Sequence, residues 1–318
     1  MAVLRRLDAA AVQRWCAAAL NDLRARRQEI DDLNVYPVPD GDAGTNMVAT
    51  MESVQKSLTA ARTDDLAGTM KALTRGALVG ARGNSGVILS QVLSGFADVL
   101  GPLRSAGGEK LKDALDAAVT KAYAAVASPA EGTILSVAKG AALAARTVEG
   151  DDFAAVIRAA ATGAREALAK TTEQLPALKA AGVVDAGGRG LVVVLEALAR
   201  VMGAAHRGPP EPPPLVARDT SALIGAREEG SSEFGYEVQF LLDAADGAIP
   251  PLKETLARLG DSLLVAGGNA LYNVHVHVND VGAALEAAVE AGHPHRISVI
   301  HFADQIAEQE SRSAKPRV

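Results

Sequence analysis

The stretch Asn34-Val-Tyr-Pro-Val-Pro-Asp-Gly-Asp-Ala-Gly-Thr-Asn-Met47 lies between two segments with strong helical patterns. It places Asp40 and Asp42 on either side of Gly41, directly before a run that can open a helix. Carboxylate oxygens suit Mg²⁺, and the unpaired N–H groups of a helix N-terminus suit phosphate. The stretch therefore predicts a binding site for a metal-bound nucleotide. A turn followed by a helix cap is the alternative, because Pro, Gly, Asp and Asn are common in any turn.

Apolar residues at helical spacing predict eight helices in the first part of the chain. Their predicted spans are 8–30, 45–60, 65–79, 85–100, 108–127, 132–148, 152–171 and 188–203. Because most connections are short, we expect an eight-helix antiparallel barrel or bundle. In that topology, the loops that precede the second, fourth, sixth and eighth helices emerge at the same end.

Each of those four loops is polar and rich in glycine. The three that accompany the opening stretch are Gly80 to Gly86, Pro129 to Thr133 and Val184 to Gly190. The loops at the opposite end lack such motifs, so turn chemistry alone would require four coincidences. We therefore expect a ring of phosphate-binding loops. The sequence contains no Gly-x-x-x-x-Gly-Lys-Ser/Thr run, which argues against a P-loop.

The residue types in this ring suggest a role for each position. Asp40 and Asp42 are predicted to hold one or two Mg²⁺ ions, with Asn34 as a third oxygen ligand. Arg82 and Arg189 are candidates for neutralising phosphate charge. The predicted phosphate contacts lie at two helix starts and are Gly44, Thr45, Asn46, Gly83, Asn84, Ser85 and Gly86.

The last two loops leave alternatives open. Thr133 is either a hydroxyl contact to the nucleotide or an N-cap. Asp185, followed by Gly187 and Gly188, either closes over the base or ribose or caps the last helix of the domain.

Composition limits the classes of partner. The chain has 318 residues, 48% of them hydrophobic, and a formal net charge of −6. That charge, without a basic cluster, argues against nucleic acid as a partner. The single cysteine, Cys16, excludes an intramolecular disulfide and a cysteine-rich metal site. Because no signal peptide or membrane-length apolar run is present in the sequence, we expect a soluble, cytoplasmic protein that does not span the membrane.

The pattern changes after the helical region, which we place at residues 1–204. Residues 205–232 contain Gly208-Pro-Pro-Glu-Pro-Pro-Pro214 and are predicted to form a stiff proline-rich linker. Residues 233–303 follow the order β-α-β-β-α-β, which predicts a ferredoxin-like α+β domain. Residues 304–318 form a charged tail. The predicted elements of the second domain span 236–242, 251–259, 262–266, 272–278, 281–291 and 296–302.

The third strand of that domain carries a histidine pair. Val274-His-Val-His-Val278 places His275 and His277 on one face of the strand and the valines on the other. Two imidazoles at this spacing can share a metal, and Zn²⁺ is the usual choice. Two polar residues on a sheet face without a metal are the alternative.

Four stretches together resemble the nucleotide-binding loops of the ATP-binding subunit of bacterial fatty acid kinase. They are Asn34 to Met47, Gly80 to Gln91, Pro129 to Leu135 and Val184 to Leu191. The resemblance spans about residues 1–303, and its first domain also resembles the L subunit of dihydroxyacetone kinase. It implies an eight-helix barrel that binds ATP and two Mg²⁺.

The resemblance also bears on individual ligands. In dihydroxyacetone kinase relatives three aspartates hold the metals; Asp40 and Asp42 match two of them, and Asn34 stands near the third with a one-residue difference in spacing. The second domain resembles the middle domain of the fatty acid kinase subunit. Relatives can place a cysteine beside the histidine pair, and this chain has Glu237 at that position. The resemblance therefore implies a zinc site in which Glu237 takes the place of the cysteine and binds the metal together with His275 and His277.

The activity implied by the resemblance is transfer of the γ-phosphoryl group of Mg-ATP to a fatty acid held by a separate carrier protein. A fatty acid carboxylate is ionised at neutral pH, so its attack needs positioning and charge neutralisation more than a general base. Two alternatives stay open: a non-catalytic nucleotide-sensing or scaffold protein, and a kinase of dihydroxyacetone-like small molecules.

Two features of the assembly follow from general expectations. Longer family members carry a third domain associated with engaging the carrier, so this chain is either a short member or a fragment. A homodimer is expected because symmetric pairs are common.

Overall fold

The computed structural model describes residues 5–204, 233–302 and 304. The predicted proline-rich linker, 205–232, lies outside the described residues, as does the predicted charged tail apart from Asp304. The described residues form a helical domain followed by a small α+β domain. Within this part of the chain, no helix combines the length and the apolar character needed to cross a membrane.

Ten α-helices form the described part of the first domain. They are α1 (Ala9–Ala25), α2 (Arg27–Asp32), α3 (Ala43–Ala61), α4 (Leu66–Gly80), α5 (Gly83–Leu100), α6 (Gly108–Ala125), α7 (Ile134–Arg146), α8 (Phe153–Gln174), α9 (Pro176–Ala181) and α10 (Ala186–Val201). The eight predicted helices are all present, and α2 and α9 are additional.

The two additional helices have local causes. The predicted first helix breaks at Arg26, where φ of −108° and ψ of 9° leave the helical region, and α2 begins at the next residue. Helix α9 begins at Pro176, a position where the missing N–H of proline costs nothing. It ends at Gly182, whose φ of 66° suits glycine.

The long helices close into a ring. Consecutive helices from α3 to α8 pack side by side, α10 packs on both α8 and α1, and α1 packs on α3. Trp15 of α1 donates its indole N–H to the carbonyl of Val194 in α10 at 2.9 Å, and its ring lies 5.5 Å from that of Phe96. This buried contact ties the first helix to the last, so the barrel is closed by a specific hydrogen bond as well as by packing.

The second domain is a four-stranded sheet covered by two helices. Its strand order is β2-β3-β1-β4, with every neighbouring pair antiparallel. This is the order of a ferredoxin-like sandwich, so the predicted fold is confirmed. Its elements are β1 (Tyr236–Asp243), α11 (Ile249–Leu259), β2 (Gly260–Gly268), β3 (Leu271–Val278), α12 (Val281–Ala291) and β4 (His293–His301).

The two faces of this sheet pack against different partners. Alternate residues such as Val238, Phe240 and Val276 pack with α11 and α12 in the domain's own core. The opposite face also includes buried Leu264 and Ala266, which belong to the core of the helical domain. The polar residues buried on that face are Glu237, Gln239, Asn273, His275 and His277. The sheet is therefore docked on the barrel through its polar face.

Two side-chain amides hold this contact together. The Nε2 of Gln239 donates to the Ala81 carbonyl at 2.7 Å and to Asn273 Oδ1 at 3.0 Å. The Nδ2 of Asn273 donates to the Leu78 carbonyl at 3.0 Å, and the Gly83 N–H donates to Gln239 Oε1 at 3.4 Å. The amide pair thus satisfies backbone groups at the connection between α4 and α5, which would otherwise be buried without partners.

The second domain also contacts the connection between α6 and α7. The Ala127 N–H donates to the Leu263 carbonyl at 3.1 Å, and Val126 forms an isolated antiparallel bridge with Leu264. The sheet is therefore hydrogen-bonded to the glycine-rich loop before α5 and to the residues that lead into the glycine-rich loop before α7.

We expect Gln239→Leu to lower the free energy of unfolding of the full chain by about 1–3 kcal/mol, because the Ala81 carbonyl and the Asn273 amide lose a buried partner. Urea unfolding measures this loss. Hydrogen exchange of the amides in residues 81–86 should become faster in the same variant. Gln28→Leu on the exposed side of α2 is the matched control and should change stability by less than about 0.5 kcal/mol. Equal losses in the two variants, or unchanged exchange, would contradict the docking role.

Candidate functional site

A cavity lies between the two domains. Its enclosed volume is about 120 Å³. All four glycine-rich loops reach it, as does the polar face of the sheet. Its predicted lining residues are Asn34, Asp40, Asp42, Asn46, Gly83, Asn84, Ser85, Thr133, Asp185, Gly187, Glu237 and His277.

Other predicted contacts lie outside the cavity lining, namely Gly44, Thr45, Gly86, Gly188 and His275. Thr45 is bonded elsewhere, since both its N–H and its hydroxyl donate to the Asp31 carboxylate at 2.9 Å. The Gly188 N–H donates to Asp185 Oδ2 at 2.6 Å. The other two glycines sit where an added Cβ would press on a neighbouring helix. These threonine and glycine positions have packing and capping contacts, and their contacts with phosphate stay predictions.

The acid pair lies at the floor of the cavity. Asp40 and Asp42 flank Gly41, which takes the positive φ of 61° that the turn requires. Burial, followed by the nearby charges of Asp42 and Glu237, raises the pKa of Asp40 well above its ordinary value. Asn34 donates its amide to Asp40 and orients that carboxylate. Carboxylates crowded together away from water are stabilised by a cation, so this oxygen donor set fits Mg²⁺.

The start of α5 packs beside the start of α3 at the edge of the cavity. Gly83 has φ of 53°, which strains any residue with a Cβ, and an added Cβ there would lie 2.3 Å from Asn46 Nδ2, so the position favours glycine. The Oδ1 of Asn84 is buried and has no hydrogen-bond partner in the described part of the chain. A buried polar atom without a partner and the N–H groups of a helix start both fit a polar ligand.

The remaining two loops carry helix caps. The Thr133 hydroxyl accepts from the Leu135 N–H at 3.4 Å, and Asp185 accepts from the Gly188 N–H at 2.6 Å. Both residues thus act as caps while also lining the cavity. Burial raises the pKa of Asp185 to about 6.

The two candidate arginines differ in position. The guanidinium of Arg189 is buried and its Nε donates to Glu29 Oε1 at 2.6 Å, an ion pair between α10 and α2. Arg82 is exposed beside the cavity and lowers the pKa of Glu237 through its charge. The geometry therefore favours Arg82 over Arg189 as a group that a phosphate could reach.

The second domain contributes a carboxylate and two imidazoles. The ligand atoms of Glu237, His275 and His277 all lie within 4.8 Å of one another, and the two histidine Nε2 atoms are 3.1 Å apart. Burial raises the pKa of Glu237 to about 8, with a further contribution from Asp42. Burial, followed by the charge of its neighbour His277, lowers the pKa of His275. One carboxyl group and two imidazoles form a donor set that fits a divalent metal such as zinc.

The structure joins two groups that the sequence patterns place in separate domains. Glu237 and His277 line the same cavity as the acid pair, and Glu237 raises the pKa of Asp40. Sequence reasoning also missed Tyr36 and Ser262, which line the cavity as well. The one sequence signal that the sheet contributes to the cavity was the alternation of polar residues along β1 and β3, and the same alternation is typical of a sheet whose polar face lies in solvent.

We expect the stability of Asp185→Asn to rise relative to that of the parent chain as the pH increases from about 4 to about 7. The pKa of Asp185 is about 6 in the folded state, against an ordinary value of about 3.9. The folded state therefore favours the protonated acid. Its stabilising contribution is complete below about pH 4 and is lost as the pH rises through about 6.

Urea unfolding of both chains across this pH range measures the difference. Asp64→Asn, at an exposed position, is the control and should follow the parent at every pH. A difference between parent and Asp185→Asn that stays constant with pH would show that Asp185 does not titrate as described.

Comparison with known proteins gives matches along most of the chain. Residues 37–200 match the family model described as DAK2 domain, and residues 233–309 match the model for the FakA-like middle domain of fatty acid kinase. Protein YloV of Bacillus subtilis (strain 168) is 35% identical, over 98% of this chain and 59% of that protein. An uncharacterized protein of Staphylococcus saprophyticus is 33% identical, over 87% of this chain and 52% of that protein. The chain spans about half the length of the curated relatives that it matches.

Among solved structures, the native dihydroxyacetone kinase of C. freundii aligns with a TM-score of 0.47 and 20% identity, covering 63% of this chain and 35% of that chain. The dihydroxyacetone kinase from C. freundii in complex with AMP-PNP and Mg²⁺ aligns with a TM-score of 0.46 and 22% identity, covering 62% and 35%. The assignment rests on the two family models. The chain therefore belongs to the DAK2 domain family and joins that domain to a FakA-like middle domain.

Proposed function

We propose that this chain binds Mg-ATP in the cavity between its domains and transfers the terminal phosphoryl group to the carboxylate of a fatty acid presented by a separate carrier protein. The observation that carries this proposal is the meeting of the acid pair with the glycine-bearing helix starts in one cavity. The pairing of a DAK2 domain with a FakA-like middle domain supports it.

The metal would bind at the floor of the cavity. Asp40 and Asp42 would hold one or two Mg²⁺ ions, with Asn34 as a neighbouring oxygen ligand. When bound, Mg²⁺ supplies charge neutralisation at the phosphoryl group being transferred. The raised pKa of Asp40 reflects its burial first and then the nearby like charges, and a bound cation would offset both.

The helix starts would hold the phosphates. Gly83, Asn84 and Ser85 at α5 would donate backbone or side-chain hydrogen bonds, with Asn46 of α3 beside them. The absence of a Cβ at Gly83 lets the Asn46 side chain lie directly beside the start of α5. Thr133 and Asp185 would keep the starts of α7 and α10 in place, so that Gly187 faces the base or ribose.

The docked second domain would shield from water the side of the cavity where the fatty acid carboxylate, the phosphoryl acceptor, binds. A carboxylate acceptor is already ionised, so the protein has to position it and exclude water rather than remove a proton. Glu237, His275 and His277 would hold a zinc ion in this wall. When bound, zinc supplies positive charge that offsets the buried carboxylate.

ATP consumption by the full chain should require a fatty acid together with its carrier protein. It should not be stimulated by dihydroxyacetone. Asp40→Asn and Asp42→Asn should each weaken Mg-ATP binding by at least about tenfold, since altering even an outer-shell partner of a metal costs roughly tenfold to a hundredfold. Titration calorimetry measures the binding and a coupled ADP assay measures the turnover.

Asp64→Asn is the matched control for these carboxylates and should bind Mg-ATP as the parent does. Undiminished binding in both cavity variants would remove the metal assignment. Turnover with dihydroxyacetone, or binding without turnover for every acceptor, would replace the proposed activity with one of the other two functions considered from sequence.

Purified chain should contain about one zinc ion per molecule, because the donor set of Glu237, His275 and His277 fits one tetrahedral ion with an open position. Elemental analysis by mass spectrometry measures this. The double variant His275→Ala with His277→Ala should lose the ion, whereas His293→Ala, at an exposed position, should keep it. Zinc well below stoichiometric amounts in the parent would leave the histidines as buried polar residues without a metal.

A further inference from the structure

The second-domain wall of the cavity contains a backbone irregularity at Ser262. Strand β2 pairs with β3 at Asp261 opposite His277 and again at Leu264 opposite His275. Three steps along β2 therefore correspond to two steps along β3, so one extra residue bulges from β2. Ser262 lies in this bulge and has φ of 51°.

The left-handed conformation is unfavourable for serine. Its Cβ crowds the backbone there, whereas glycine takes the same conformation freely. The chain does use glycine for positive φ elsewhere at the cavity, at Gly41 and Gly83. At position 262, by contrast, the chain has serine, which places a hydroxyl group at the cavity although its backbone conformation is strained. Residues held in such conformations cluster at ligand sites, and bulges often redirect a side chain.

The hydroxyl of Ser262 is available to a ligand. Ser262 is half-buried and lines the cavity together with Glu237, His277 and Leu264. Among the residues that the structure describes, none forms a hydrogen bond with this hydroxyl. Because the amides of Gln239 and Asn273 fix the sheet on the barrel, the position of β2 relative to the cavity floor is defined.

This wall faces the proposed metal ligands. Asp40 and Asp42 line the same cavity as Glu237 and Ser262, so the acid pair and this part of the sheet border one space. A nucleotide whose metal lies on the acid pair has its terminal phosphoryl group at the metal end. An ionised carboxylate on the wall would repel that group, whereas a neutral hydroxyl can donate to it.

We propose that the Ser262 hydroxyl donates a hydrogen bond to the terminal phosphoryl group of the bound nucleoside triphosphate. Ser262 is then a catalytic residue supplied by the domain that does not hold the magnesium. The inference rests on the proposed function, and it explains how docking of the second domain completes a site whose other phosphate contacts come from the barrel.

The test compares Mg-ADP binding with and without orthovanadate, which occupies the place of the phosphoryl group in transfer. In the parent chain, vanadate should tighten Mg-ADP binding. The affinity of Ser262→Ala for Mg-ADP alone should be within about twofold of that of the parent. The factor by which vanadate tightens Mg-ADP binding should be roughly tenfold smaller in the variant, because one hydrogen bond to a charged group is lost. Titration calorimetry measures both affinities on the full chain.

Ser262→Gly separates the hydroxyl from the strain. It should show the same loss of the vanadate effect, while its resistance to urea equals or exceeds that of the parent because glycine relieves the backbone. Ser298→Ala on β4 is the matched control and should behave as the parent.

The outcomes distinguish this inference from the function on which it rests. A parent chain that fails to bind Mg-ADP would overturn both. If the parent chain binds Mg-ADP but vanadate does not tighten that binding, only the role of Ser262 would be overturned. That role is also overturned if the Ala and Gly variants keep the full vanadate effect, or if they lose affinity for Mg-ADP itself.

Discussion

The burial of neighbouring carboxyl groups is the constraint on which the candidate site depends. Asp40 and Asp42 come from a loop of the barrel and Glu237 comes from the sheet, and burial together with their mutual charge raises the pKa of Asp40 and of Glu237. Such an arrangement is unfavourable in the absence of a counter-charge. A divalent cation on the floor and another in the wall would relieve it, so metal binding and domain docking stabilise each other in this account.

The fold makes this convergence possible through two simple geometries. An antiparallel ring of helices brings alternate helix starts to one end, and the hydrogen bond from Trp15 to α10 closes that ring. An antiparallel sheet has two faces, and here the apolar face packs on its own helices while the polar face covers the end of the barrel. Gln239 and Asn273 make the polar face compatible with burial, because they satisfy backbone carbonyls at the end of α4 and in its connection to α5.

The fold could be predicted from sequence because the periodic patterns are long and the strand order is distinctive. The break at Arg26 was missed because no Pro or Gly marks it. At the site, the loops were predictable from residue types, but the bonding of Thr45 to Asp31 was not, since the partner lies on another helix. The acid pair of the barrel and the Glu237 and His277 side chains of the sheet line one cavity only because the two domains are in contact. This contact and the bulge at Ser262 depend on tertiary structure, which a local sequence pattern does not contain.

A crystal structure of the full chain grown with Mn²⁺ and AMP-PNP would test the central claim most directly, because manganese is located by its anomalous scattering. We expect manganese bound by Asp40 and Asp42, with the terminal phosphate facing the part of the sheet that carries Glu237. Nucleotide bound away from this cavity, for example in the surface groove between α7 and α8, would contradict it. So would manganese on the acid pair with the sheet undocked from the barrel.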